Sequence, residues 1–176
     1  MKFSEIPKFT KQPSYSVEIS WKYLEHKITE LCSEVEGRLD LNPDFQHGHI
    51  WTVEQQIAYV EFILRGGNSG HDIYFNHPGW MNSFKCEFVI VDGLQRLTAA
   101  LKFMNNEIPA FGCLYKDYED RFPWSSIGFI FHVNDLKTRA EVLQWYIDFN
   151  SGGTPHTEEE ITRVKTLLDK ERKASL

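Results

Sequence analysis

The chain has 176 residues, 41% hydrophobic, 14% aromatic and 25% charged, which suits one packed domain of ordinary size and excludes a disordered chain. Nineteen Lys and Arg against 25 Asp and Glu leave a net charge of -6, so a generally basic surface cannot drive nucleic-acid binding and any phosphate contact must be local. No run approaches the roughly 18 apolar residues that span a bilayer, and Met1 to Thr10 has no apolar core of a secretory signal, so the expectation is a soluble cytoplasmic protein with no membrane partner.

The single domain should run from 1 to 176 with loose ends at 1–15 and 169–176. The first predicted element is a helix from Ser20 to Glu36, where Trp21, Leu24, Ile28, Leu31 and Val35 recur at helical spacing between a serine cap and Gly37. A short strand follows over Arg38–Asn42 and stops at Pro43. Thr52 and Gln55 form a capping box for the next helix, with Ile57, Val60, Phe62, Ile63 and Leu64 as its apolar face and Gly66-Gly67 as its end. Asp72–Phe75 and Glu87–Val91 read as strands on either side of the turn Asn76-His77-Pro78-Gly79, the second central because Phe88-Val89-Ile90-Val91 is wholly apolar.

Leu94–Asn105 is a predicted helix with Leu97, Leu101 and Met104 on one stripe, and Pro109–Leu114 and Phe129–Val133 are further strands. Thr138 with Glu141 caps a helix through Val142, Leu143, Tyr146 and Phe149, and Thr157 with Glu160 caps the last one. Strands and helices are interspersed, so the fold class is mixed α/β, a small mixed sheet with helices packed on it. Cys32, Cys86 and Cys113 fit neither a disulfide framework nor a Cys-x-x-Cys zinc site, and buried reduced thiols are expected.

The stretch richest in chemistry is Phe88 to Thr98, an apolar strand that breaks at Asp92-Gly93 and passes directly into a helix. A helix start carries unsatisfied N–H donors and about half a positive charge, so it attracts anions; Gly93 would keep the approach open and Arg96 would add a bidentate cation. Asp92 has three open roles: holding a metal, holding a water, or capping the helix.

Asp92-Gly93-Leu94-Gln95-Arg96-Leu97-Thr98 closely resembles the Asp-Gly-Gln-Gln-Arg-Leu-Thr signature of the N-terminal domain of GmrSD-type restriction systems, within the ParB/sulfiredoxin-like superfamily. Upstream, Asn42-Pro43-Asp44-Phe45-Gln46-His47-Gly48-His49-Ile50-Trp51-Thr52 is similar to that family's aromatic, Gln and Arg segment followed by Trp; downstream, Phe149-Asn150-Ser151-Gly152-Gly153-Thr154-Pro155 looks like its Asn- and Gly-rich turn. The chain departs from the pattern at Leu94, where the first glutamine usually stands, and at His47, where Arg is usual.

The resemblance implies a ParB-like fold whose turn binds a nucleoside triphosphate through Gly93, Gln95, Arg96 and Thr98, with Gln46, His47 and His49 approaching from the facing loop and Asn150 and Ser151 at base or ribose. It implies catalytic roles for Asp92, Arg96, Gln46 and His47 if hydrolysis occurs, with Mg2+ at Asp92. Histidine ionises near pH 6.5, so His47 would hold phosphate charge weakly at neutral pH. The competing readings are a non-catalytic nucleotide- or protein-binding module of a mobile element or defence system, and a DNA nuclease.

Other residues carry weaker signals. His47 and His49 share a face if extended, which suits a shared metal, a flanked phosphate or solvent exposure. Trp51 is either a packing anchor or a base-stacking ring. Gly66-Gly67-Asn68-Ser69-Gly70 lacks the Lys and Ser/Thr of a phosphate loop and reads as a connection. His71, His77, His132 and Asn82 are residue types found in His-Asn-His nucleases, at a spacing that is not diagnostic.

Overall fold

A computed structural model describes residues 15–33, 38–46, 50–80, 87–123, 126–151 and 158–174. The described residues form a mixed α/β structure whose five-stranded sheet has the order β1-β5-β3-β4-β2. In chain order the elements are β1 (Tyr15–Ser20), α1 (Leu24–Cys32), β2 (Leu39–Asp40), α2 (Val53–Leu64), β3 (Asp72–Asn76), β4 (Phe88–Asp92), α3 (Leu94–Met104), β5 (Gly128–Asn134), α4 (Arg139–Ser151) and α5 (Glu158–Ala174). β1 runs antiparallel to β5, β5 parallel to β3, β3 antiparallel to β4 and β4 parallel to β2.

Alternation of side chains divides the strands between two cores. On one face Ile73, Phe75, Phe88, Ile90, Phe129 and Phe131 meet Leu24 and Ile28 of α1, Val60 and Ile63 of α2, and Leu97, Ala100 and Phe103 of α3. On the other, Val89 and Val91 pack with Phe45, with Val142, Leu143 and Tyr146 of α4, and with Val164 and Leu168 of α5. β4 is buried on both faces over Phe88–Val91, as its apolar run predicts, but it lies fourth of five strands and the middle of the sheet is β3.

Two capping boxes hold as expected, and Thr157 of the third, Thr157 with Glu160, lies outside the described residues. Gln55 N–H donates to Thr52 Oγ1 while the Gln55 side chain accepts from Thr52 N–H. Glu141 and Thr138 exchange the same pair of bonds at the start of α4, and Ser20 accepts from Lys22 N–H.

Several expectations are corrected. Tyr15–Ser20, which spans the expected loose end at Tyr15 and the expected helix start at Ser20, is a strand, because Tyr15, Val17 and Ile19 alternate and pair with β5; Ser20 caps a single 3-10 turn, Trp21–Tyr23, before α1 begins. The strand over Arg38–Asn42 shrinks to Leu39–Asp40, since Asn42 N–H turns back to Asp40 Oδ1. Pro109–Leu114 is no strand: Phe111 and Gly112 both take positive φ, which closes a tight reversal bridged between Ala110 and Cys113. Residues 169–174 belong to α5, held by Arg139 Nε to Glu171 and by Arg172 to Gln144. Phe62 leaves the apolar face of α2 and is 45% exposed, its ring lying where a side chain on Gly67 would stand. Cys32 and Cys113 are free and exposed, not buried; Cys86 lies outside the described residues.

Candidate functional site

The Asp92-Gly93 break has a packing cause. Gly93 sits at φ +100°, the left-handed region, and a Cβ placed there would stand 2.5 Å from Ile73 Cδ1 and 3.3 Å from Ile73 Cα. The absent side chain therefore admits β3 and does not clear a path for a ligand. Gly93 is the N-cap of α3 with no side-chain bond to the first turn, and the following residues Leu94, Gln95 and Arg96 are all partly exposed. The first N–H groups of α3 have no partner inside their own helix.

Arg96 reaches back one turn and forms an ion pair with Asp92, Nη2 to Oδ2; the side chains are 21% and 24% exposed. Tyr59 borders Arg96, donates its hydroxyl to Gly70 O at 2.8 Å, and is pushed well above the ordinary tyrosine pKa by burial, with the Arg96 charge acting in the opposite direction. The loop before α2 is tied to the turn at both described flanks: Gln46 Nε2 donates to Val91 O, and Trp51 N–H donates to Gln95 Oε1 at 3.0 Å. Gln46 Oε1 is buried and has no hydrogen-bond partner among the described residues.

The structure thus brings together Gln46, Asp92, Gly93, Gln95 and Arg96, with Thr98 partly buried farther along α3. His47 and His49 lie outside the described residues. Asn150 is buried and donates its amide to Tyr146 O at 2.7 Å, so that donor is spent within α4; Ser151 is the last residue of that helix. Trp51 acts as a packing anchor, its ring 5.4 Å from that of Tyr59.

A second set of residues extends the turn across the sheet, and sequence reasoning missed most of it. Strand register places Ser16 beside His132, His132 beside Tyr74, and Tyr74 beside Asp92, one row over four strands. The Tyr74 ring stacks on His132, centroids 4.7 Å apart and 19° between planes, and leans on Phe149 at 4.7 Å. Burial raises the Tyr74 pKa, Asp72 and Asp92 raise it further, and Arg96 opposes them. His132 Nε2 lies 2.7 Å from Asp72 Oδ1 and its Nδ1 lies 2.8 Å from Ser16 Oγ. The alternation of Tyr15–Ser20 was the one available signal for Ser16; nothing local announces its pairing with His132.

The nuclease-type histidines do not converge. His71 faces two backbone carbonyls, Gly128 O at 2.9 Å and Gly67 O at 2.7 Å, and so ties a loop to β5. His77 is fully buried, with Gly79 N–H donating to its Nδ1 at 3.0 Å, and burial lowers its pKa. Asn82 lies outside the described residues. Asp92 is not joined into any group of three or more His, Cys, Asp or Glu able to hold a metal among the described residues, and its carboxylate already meets Arg96. The donors among the described residues do not make a protein-held cation site.

A cavity of about 250 Å³ opens at the other end of β4, lined among others by Phe45, Asn76, Val89, Lys137, Arg139 and Val142. It adjoins Arg139, which binds Asp44 at 2.6 and 2.7 Å and Glu171 at 3.2 Å, and does not touch the Asp92 turn. No helix among the described residues is long and apolar enough to cross a membrane. Comparison with protein-family models, curated proteins and solved structures finds no match.

Proposed function

We propose that the chain binds a nucleoside triphosphate through the turn Asp92–Arg96, in the manner implied by its resemblance to the ParB-like domains of GmrSD-type systems. The observation that carries this reading is the Asp92–Arg96 ion pair at the start of α3. Guanidinium has five N–H donors, and Asp92 engages one end of it, which orients Arg96 while leaving donors for a phosphate. The partly exposed first turn of α3 adds further N–H groups and partial positive charge at the same place. Gln46 and Gln95 are positioning residues, since both join the facing loop to the turn.

A second reading, a binding module without hydrolysis, is favoured by the absence of a metal-ligand group around Asp92 among the described residues. Any magnesium would then arrive with the nucleotide and be held chiefly by phosphate and water.

Thermal unfolding against a panel of nucleoside triphosphates, with and without magnesium, tests binding. At 100 times Kd a ligand adds about 2.7 kcal/mol, which for a chain of this size raises Tm by roughly 5–10 °C. Arg96→Ala should abolish the shift. No shift with any nucleotide overturns the proposal, and release of inorganic phosphate in the same mixtures separates hydrolysis from binding alone.

A further inference from the structure

We infer that Ser16, His132 and Asp72 form a nucleophilic serine site that acts on neutral carboxylic esters. It stands independently of the nucleotide reading. The three residues come from three adjacent strands, β1, β5 and β3, and connect in one chain of hydrogen bonds: Ser16 Oγ to His132 Nδ1 at 2.8 Å, and His132 Nε2 to Asp72 Oδ1 at 2.7 Å. In a neutral imidazole one nitrogen donates and the other accepts. The Asp72 carboxylate is an acceptor, so Nε2 carries the hydrogen, and Nδ1 is left to accept from the Ser16 hydroxyl. That is the polarity a nucleophile, base and orienting carboxylate need, with the two ring nitrogens exchanged relative to the familiar serine protease arrangement.

The backbone supports this assignment. Trp21 N–H bonds Ile127 O at 3.2 Å, which fixes the odd residues of β1 as those paired with β5. Ser16 and His132 are therefore a non-hydrogen-bonded pair, the closer of the two kinds, which brings their side chains together. By the same alternation the Ser16 N–H points to the outer edge of β1, where it can donate to the oxygen of a tetrahedral intermediate. Ser16 is exposed, whereas the His132 side chain is 17% exposed, stacked on Tyr74 and so held in one ring orientation.

The surroundings select the substrate. Asp72 and the exposed Glu18, two residues along the same face of β1, repel an anionic phosphoester at Ser16. Ile130 is 38% exposed beside Glu18, and Tyr74 with Phe149 supplies an aromatic wall, which suits an apolar acyl group. In the reaction Ser16 Oγ attacks the ester carbonyl as its proton passes to His132 Nδ1. The alcohol leaves with that proton, giving an acyl-Ser16. Water then attacks the acyl carbon, losing its proton to His132 Nδ1, and the carboxylic acid leaves as His132 returns that proton to Ser16 Oγ.

The test is labelling of the full chain with a fluorophosphonate, located by peptide mass spectrometry, alongside hydrolysis of p-nitrophenyl butyrate. Ser16 should displace fluoride and gain the phosphonyl group at least tenfold faster than the exposed Ser69. Ser16→Ala should remove that label and the esterase activity. His132→Asn should slow labelling by roughly 10²–10⁴-fold, the range for loss of a general base. Circular dichroism checks that both variants fold, and Asp72→Asn, which keeps the shape of the carboxylate, provides a second variant that should slow labelling. Equal labelling of Ser16 and Ser69, or a Ser16 rate unchanged in folded His132→Asn or Asp72→Asn, overturns the inference. Nucleotide binding is read in a separate assay, so the two proposals fail separately.

Discussion

Gly93 lies against Ile73 so closely that a single added methyl group would overlap the Ile73 side chain. The positive φ and the contact act together: the left-handed backbone costs an ordinary residue about 1–2 kcal/mol and overpacking about 1–3 kcal/mol. Gly93→Ala should therefore lose about 2–5 kcal/mol in urea unfolding. Combining it with Ile73→Val should recover part of that loss and no more, because the backbone strain remains. A Gly93→Ala variant as stable as the parent would remove this account of the turn.

His77 predicts a weakness on the acid side. Its pKa is lowered by burial, helped by Lys137 and opposed by a backbone hydrogen bond. The unfolded chain takes up this proton below about pH 6.5 while the native ring stays neutral. Its contribution is thus full above that pH and is lost as pH falls, with a slope of at most about 1.4 kcal/mol per unit for one proton. His77→Gln should lower stability at pH 7.5 yet show a shallower decline between pH 6.5 and 5. An unchanged slope would assign the acid sensitivity to other groups.

Tyr59 predicts the alkaline counterpart. Burial raises its pKa, so the folded chain keeps a proton that the unfolded chain gives up above about pH 10. Stability should fall as pH rises through that value. Tyr59→Phe loses the bond to Gly70 O, about 1 kcal/mol at neutral pH, but should flatten the alkaline limb. Tyr74 shifts in the same direction, so some slope will remain. Unfolding measured from pH 8 to 11 decides the matter, and identical curves for parent and variant would count against it.

Arg139 joins α4 to Asp44, Glu87 and Glu171. Its partners are 53%, 60% and 39% exposed, so water screens the group and Arg139→Met should cost only about 1 kcal/mol at low salt. In 1 M NaCl, where the screening length is about 3 Å, most of that difference should vanish. A cost that persists in salt would point to packing of the guanidinium stem.

The local signals in the chain were legible where a few neighbouring residues decide the outcome. Thr52 with Gln55 and Thr138 with Glu141 cap their helices because both partners are three residues apart. Phe88-Val89-Ile90-Val91 reads as a doubly covered strand because no side of it is polar. The Asp92-Gly93 stop and the helix after it follow from the same local chemistry, and with them the candidate phosphate turn. Phe62 and Cys113 went astray because exposure depends on what packs above a residue, which spacing alone does not report.

By itself the sequence determined a mixed α/β chain, the starts of its capped helices, the buried strand β4 and the residues from Asp92 to Arg96 at its end. Only the tertiary structure decided that Tyr15–Ser20 is an edge strand, that Gly93 answers to Ile73, and that Ser16, His132 and Asp72 meet across positions 116 and 60 residues apart. The physical reason is that strand register is a long-range choice. It is set by which apolar faces can be buried together, and one row of pairings then carries polar side chains from four distant segments onto the same face.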